Sequence, residues 1–321
     1  MTNACFVGFD TSNYTTSIAV SDGEGHILAN LKRPLPVEEG ACGLRQSDAV
    51  FSHVRNLPPL MEEARAFLEG RTVRGVGCSV RPRSVEGSYM PCFLAGRAAA
   101  ASFAAAACAP LVEVSHQDGH LMAALYSSGE GVRLRQAPFA AFHVSGGTTE
   151  VLHVLPYENG TGFSVREIGG TADLNAGQAI DRVGVMMGMS FPCGRALETS
   201  AEAYKGKLPR PRISVKGCTC NLSGLENLAG KLWKETKDKP LVSAYVLSFV
   251  GATLRAMTEG VDEQLGHLPI LYAGGVMSNR YLQTLLGARK DTYFAEPQFS
   301  ADNAAGVALL ARLRAVAEVD G

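Results

Sequence analysis

Phe139–Val154 reads FAAFHVSGGTTEVLHV. An apolar strand, Phe139–Val144, meets a turn of Ser145, Gly146, Gly147, Thr148 and Thr149, and the chain returns as a second strand, Glu150–Val154. The glycines let backbone N–H groups come close to an anionic ligand, as in phosphate-cradling loops. About 135 residues earlier, Phe6–Val20 reads FVGFDTSNYTTSIAV with the same layout. One such hairpin is a weak signal, because hairpin turns often use glycine. Two of them, each opening half of the chain, predict an internally duplicated α/β fold.

The pattern around each hairpin agrees. Strand Cys5–Asp10 is followed by strands near Ser17–Val20 and His26–Leu31, a helix over Ser52–Gly70, a strand Gly75–Val80, a helix near Pro91–Ala109 and a strand Leu111–Val114. Strand–helix–strand order implies parallel pairing. In the second half, Asp173 fits an N-cap before a helix with Ala176, Ile180, Val183 and Met187 on one face. Pro269–Asn279, PILYAGGVMSN, is a strand, a Gly-Gly turn and a helix start, where nucleotides commonly dock in open α/β sheets.

The chain has 321 residues, 46% of them hydrophobic and 35 of them glycine, which suits two packed lobes. Its net charge of −1 supplies no global basic field, so any RNA contact must be local. The most basic window, Lys205–Lys216 (KGKLPRPRISVK), reads as an RNA-facing loop or as a solvated connection. Eight cysteines without a CxxC pair read as reduced, mostly buried thiols. With no basic, apolar leader at the start, the expected location is cytoplasmic.

The first chemistry-bearing segment is VSHQDGHL, Val114–Leu121. On a helix, His116 and His120 share a face one turn apart, the spacing needed to grip one divalent ion. An isolated pair at this spacing is also a common coincidence. The segment lacks the HExxH glutamate, which argues against a zinc protease. Asp181, inside its helix, suits a pair of ribose hydroxyls or an ion pair with Arg182 or Arg195.

Taken in order, His116/His120, Val144–Thr149 (VSGGTT), Asp173–Asp181 (DLNAGQAID), the NLSGL around Ser223, Ala273–Asn279 (AGGVMSN) and Ser300–Gly306 (SADNAAG) resemble the tRNA N6-adenosine threonylcarbamoyltransferase family, whose members were once described as O-sialoglycoprotein endopeptidases. SHVRNLPPLMEEA, around His53, also looks like that family's N-terminal helix.

The resemblance implies an actin-like ATPase fold of the sugar kinase/Hsp70 type, with two RNase H-like lobes and an interlobe cleft. It suggests a lobe at 1–136, a lobe at 137–300 and a terminal helix at 301–321 packing back across the lobes. The implied reaction moves a threonylcarbamoyl group from threonylcarbamoyl-AMP to N6 of adenosine 37 in tRNA. His116, His120 and Asp302 match the family's metal ligands, and His143 stands where some members place a metal-binding Tyr. The ion is expected to be Fe2+ or Zn2+. Ser145, Gly146 and Gly147 match the phosphate-facing loop, and Asp181, Gly194 and Asn279 match contacts to an adenine nucleotide (threonylcarbamoyl-AMP, ATP or ADP). Asp10 and Ser12 belong to the hairpin expected beside the reacting carbonyl. Implied partners are the tRNA anticodon loop, a smaller actin-like paralog and an ATPase, with no membrane.

The first hairpin departs from the family pattern. Members usually read ETSCDET where this chain has Asp10–Thr16, DTSNYTT, so Tyr14 and Thr15 replace two acidic residues. Arg81-Pro82-Arg83-Ser84 replaces a GPG-type loop, and Gln178 replaces a carboxylate. These changes lower negative charge near the expected nucleotide, and they keep open a paralog acting on another acceptor, as a carbamoyl transferase or ATPase, or a non-catalytic regulator.

Overall fold

A computed structural model describes residues 3–12, 14–36, 44–300 and 304–320. The chain divides into two compact units. The first comprises Met1–Gln136, Pro156–Ser164 and Gln298–Gly321; the second comprises Ala137–Leu155 and Val165–Pro297.

The first unit is built on strands β1 (Ala4–Ser12), β2 (Thr15–Asp22), β3 (Ile27–Pro34), β4 (Thr72–Arg81) and β5 (Leu111–Ser115). Their order in the sheet is β3-β2-β1-β4-β5. The first three form an antiparallel meander, and β4 and β5 run parallel to β1. Alternation along β1 assigns its two faces. Cys5, Val7 and Phe9 pack with Leu57, Leu60 and Ala64 of helix Gln46–Leu68 and with Ala95, Ala100 and Ala104 of helix Phe93–Ala106. Ala4 and Phe6 pack instead with Ala315 of the terminal helix, Ala305–Asp320.

Gly8 and Gly77 are register partners across β1 and β4. A Cβ at Gly8 would lie 2.5 Å from the Ala304 carbonyl oxygen, and one at Gly77 would lie 2.7 Å from that of Val307. This pair of missing side chains lets the terminal helix lie against the sheet backbone. That helix therefore belongs to the first unit.

The second unit contains β6 (Phe139–Val144), β7 (Thr149–Pro156), β8 (Phe163–Thr171), β9 (Ser214–Lys216), β10 (Thr219–Asn221), β11 (Ile270–Ala273) and β12 (Thr292–Phe294). The sheet order is β12-β11-β6-β7-β8-β10-β9. Ala140, Phe142 and Val144 point into a core shared with helices Ala176–Met186, Ser223–Thr236 and Lys239–Leu265. The last of these is long and apolar enough to span a membrane, yet most of it is buried in this core. The two hairpins, β1–β2 and β6–β7, are the repeated feature of the sequence, and each sits inside its own sheet.

One expectation needs correcting. Asp173 does not cap its own helix; Asn175 holds that position. The Asp173 carboxylate instead accepts hydrogen bonds from Leu222 N at 2.7 Å, Ser223 N at 3.2 Å and Ser223 Oγ at 2.6 Å. It thereby satisfies orphan donors at the start of helix Ser223–Thr236. Short sequence spacing made Asp173 look local, whereas its partners lie some fifty residues away.

Candidate functional site

In the first unit, the site grows from the end of β5. Ser115 caps helix His116–Ser127, its side chain accepting from Asp118 N at 3.1 Å. The helix begins at His116, so both histidines lie in its first turns, with Nε2 of His116 2.9 Å from Nε2 of His120. His116 Nδ1 lies 2.9 Å from Asp10 Oδ1. An ionised carboxylate only accepts, so the proton of neutral His116 sits on Nδ1 and the Nε2 lone pair faces His120. Ser79 Oγ donates to the same Asp10 oxygen.

Asp10 is fully buried, its Oδ2 has no hydrogen-bond partner, and neither does the buried Oγ of Ser12. An unsatisfied buried carboxylate oxygen on the residue that holds His116 is costly and marks a place where a ligand completes the network. A carboxylate behind a metal-binding histidine is the usual supporting arrangement. Two nitrogens each about 2.1 Å from one ion would lie about 3 Å apart at an octahedral right angle and about 3.4 Å apart in a tetrahedral site, so the observed 2.9 Å needs only a small opening of the pair to admit an ion. The pair therefore fits a divalent ion. Asp302, the expected third ligand, lies outside the described residues, and among the described residues no three metal-ligating side chains cluster.

The other side of the hairpin is locked. Thr11 Oγ1 donates to the Cys92 carbonyl and accepts from Gly96 N. Thr16 Oγ1 lies 2.8 Å from His53 Nδ1 and accepts from Asn56 Nδ2 at 3.1 Å. His53 is fully buried. Burial holds its pKa below the ordinary value, with the Ser12 backbone and Asp10 opposing. Tyr14, at the replaced acidic position, is 46% exposed, so its ring is not part of the core.

In the second unit, the β6–β7 turn is held by its own serine. Ser145 Oγ accepts from Gly147 N at 3.3 Å and Thr148 N at 3.1 Å. Helix Ala176–Met186 starts against this turn: Gly177 N donates to the Ser145 carbonyl, and Ala176 N donates to Thr149 Oγ1. A Cβ on Gly177 would sit 2.6 Å from Gly146 Cα. Glycine at both places lets the helix start pack directly on the turn, with the Ala176 and Gly177 amides already taken up by Thr149 and Ser145.

Beside it lies a cavity of about 900 Å3 lined by Gly146, Gly177, Asp181, Gly194 and Asn279 among others. Four residues that the resemblance matched to nucleotide contacts, Gly146, Asp181, Gly194 and Asn279, thus meet in one cavity. Ser145 and Gly147 do not line it; they shape the turn. Asp181 accepts from Cys193 N at 2.7 Å, which pins the start of helix Gly194–Glu202. Burial pushes its carboxyl up, and the Cys193 amide opposes this. Arg182 pairs with Glu226 rather than with Asp181. Asn279 caps helix Arg280–Leu286 through its Oδ1, which accepts from Leu282 N.

His143 lies on β6 of the second unit, its Nδ1 3.8 Å from Glu150 Oε1. Residues not foreseen in the cavity wall include Arg195, Glu198, Arg280 and Gln283. Glu198 is bound to Arg280 N at 2.7 Å. The i, i+3 spacing of Arg195 and Glu198 on one helix was the available signal. Burial pushes the Cys78 thiol up to about 12 and the Cys92 thiol up to about 11, so neither is a ready nucleophile.

A family model described as tRNA N6-adenosine threonylcarbamoyltransferase matches residues 42–309. The chain belongs to that family. Membership in the threonylcarbamoyltransferase family places it among tRNA-modifying transferases. Solved structures resemble it at the level of fold. Full-length HypF in a phosphate- and nucleotide-bound form is 13% identical, with a TM-score of 0.58 over 97% of this chain and 55% of that one. Component A of (R)-2-hydroxyglutaryl-CoA dehydratase from Acidaminococcus fermentans is 15% identical, with a TM-score of 0.54 over 98% and 99% of the two chains. The activator of 2-hydroxyisocaproyl-CoA dehydratase from Clostridium difficile, with bound ADPNP, is 13% identical, with a TM-score of 0.53 over 98% and 97%. The fold of this threonylcarbamoyltransferase-family chain is therefore the actin-like, sugar-kinase fold.

Proposed function

We propose that this chain transfers the threonylcarbamoyl group of threonylcarbamoyl-AMP to N6 of adenosine 37 in tRNA. The observation that carries this reading, beyond the family, is the Asp10–His116–His120 chain with its unpartnered, buried Asp10 Oδ2. His116, His120 and Asp302 would hold a divalent ion, Fe2+ or Zn2+, with imidazole suiting either. Once bound, the ion supplies a Lewis acid for the acyl phosphate.

The protein's own groups do the rest. Asp10 keeps the His116 proton on Nδ1 and holds the ring in place. Ser12 offers a hydroxyl at the same end of the hairpin. In the second unit, the glycine turn would face the phosphate, and the Asp181 oxygen that carries no protein hydrogen bond among the described residues would take ribose hydroxyls. The acceptor N6 is a weakly basic amine, so the chain contributes mainly by positioning and by activating the electrophile.

The five cations of the Lys205–Lys216 window are exposed, and among the described residues none pairs with a carboxylate. They suit the phosphates of an anticodon loop. A smaller actin-like protein and an ATPase are the protein partners expected to work with this chain in the cytoplasm.

Tyr14 and Thr15 favour a second reading. With two family carboxylates gone from the hairpin, the same nucleotide and metal machinery would serve another acceptor, in a carbamoyl transferase or ATPase. Threonylcarbamoyl-AMP and tRNA, incubated with the chain and its partners and analysed as nucleosides by mass spectrometry, separate the two. Threonylcarbamoyladenosine supports the first reading, and its absence supports the second.

A further inference from the structure

The β2–β3 turn, the C-terminal end of helix His116–Ser127, the short helix Gly131–Leu134 and the terminal helix enclose a cavity of about 260 Å3 within the first unit. It lies toward the opposite end of helix His116–Ser127 from the histidine pair, about 9 Å along the helix axis from the middle of the pair. Its walls include Met122, Leu125, Leu309 and Leu313, and Val132, 69% exposed, stands at its edge.

Two guanidinium groups share this apolar space, those of Arg135 and Arg312. Each is held by its Nε, Arg135 on the Gly131 carbonyl at 3.2 Å and Arg312 on the Gly23 carbonyl at 2.8 Å. Among the described residues neither forms an ion pair with a carboxylate. Holding two cations together in partly buried positions raises the energy of the fold unless an anion joins them. Burial, followed by the charge of Arg312, pushes the Arg135 guanidinium below its ordinary range. The one carboxylate lining the cavity, Glu24, is largely exposed and lies 3.7 Å from His26.

We propose that this cavity binds a small monocarboxylate with an apolar body, its carboxylate bridging Arg135 and Arg312 and its carbon chain lying against Leu313 and Val132, the lining apolar side chains that keep accessible surface. Charge supports a monoanion: two arginines and Glu24 sum to a single positive charge. Size supports a short chain, since at about 30 Å3 per water-sized group the cavity takes roughly eight or nine heavy atoms. Geometry supports a carboxylate, because a planar guanidinium with its Nε occupied still presents its Nη edge to two oxygens.

The test is calorimetric titration of the full chain with hexanoate, with hexylamine and inorganic phosphate as comparisons. Hexanoate is expected to saturate one site per chain with a millimolar or tighter Kd. Its affinity falls at least about tenfold in the Arg135→Gln/Arg312→Gln double variant and in Val132→Glu, which keeps both arginines but sets a competing carboxylate at the cavity edge, three residues from Arg135. Circular dichroism confirms that each variant is folded, and Val132→Glu decides the matter if the double variant is not. Absence of saturable hexanoate binding, an unchanged affinity in folded Val132→Glu, or equal binding of hexylamine or phosphate would overturn the proposal.

Discussion

The Nε2 atoms of His116 and His120 face each other at 2.9 Å, while Asp10 occupies the opposite nitrogen of His116. This arrangement predicts about one divalent ion per chain. The His116→Ala/His120→Ala double variant is expected to lose it. Asp10→Asn is expected to keep the ligands but weaken binding about 10- to 100-fold. Elemental analysis and chelator competition measure both. Full metal content in the double variant would move the site elsewhere.

Gly177→Ala sets a methyl group against Gly146 Cα, at 2.6 Å, and against the Ser145 carbonyl oxygen, at 2.7 Å. The turn and the helix must separate, at a cost of about 1–3 kcal/mol. ADP affinity should fall at least about tenfold, since the phosphate donors are displaced. Gly194→Ala is the control: nothing lies within 4 Å of its added Cβ, so stability should change by less than about 0.5 kcal/mol. Urea melts and calorimetry read the pair.

His53 predicts a pH dependence. Its folded-state pKa is depressed below 6.5, so below that pH the unfolded chain binds more protons than the folded one. Its contribution to stability is present above pH 6.5 and declines as pH falls through the window between 6.5 and the lower folded value. His53→Asn keeps an acceptor for the Thr16 hydroxyl and removes this titration. Urea melts at several pH values should show the wild type losing stability on acidification faster than His53→Asn. Parallel curves would show that His53 is not the group responsible.

Much of this was legible in the sequence. The two hairpins, the helix carrying the histidine pair and the glycine turn follow from local pattern, because alternation and helical period are local properties. The spacing of His116 and His120 was enough to put both rings on one face of one helix. Distant pairings were not legible. Nothing near Asp173 pointed to Ser223, and nothing in SHVRN pointed to Thr16 as the partner of His53. The position of Pro156–Ser164 in the first unit was equally hidden. Such contacts are set by which faces meet, which spacing along the chain does not encode.

Asp173→Ala removes the acceptor for Leu222 N and Ser223 N. The expected loss is about 1–2 kcal/mol, the usual scale for a helix cap. Burial raises the pKa of this carboxyl, but the bonds from Ser223, Leu222 and Leu174 outweigh it and hold the group below its ordinary 3.8. The stabilisation is therefore fully present above pH 3.8 and declines as pH falls from 3.8 toward the lower folded-state value. Urea melts at neutral pH and at about pH 3 should show a smaller difference between wild type and Asp173→Ala in acid.

The most direct test of the central reading is a single-turnover reaction with preformed, isotope-labelled threonylcarbamoyl-AMP, so that no other enzyme has to make the donor. Wild-type chain, with its partner proteins, is mixed with tRNA bearing unmodified adenosine 37, and the nucleosides are separated by mass spectrometry. The account predicts label on N6 of adenosine 37 with the wild type and none with His116→Ala/His120→Ala. An unlabelled adenosine 37 with folded, metal-loaded wild type, or equal labelling by the double variant, would contradict it.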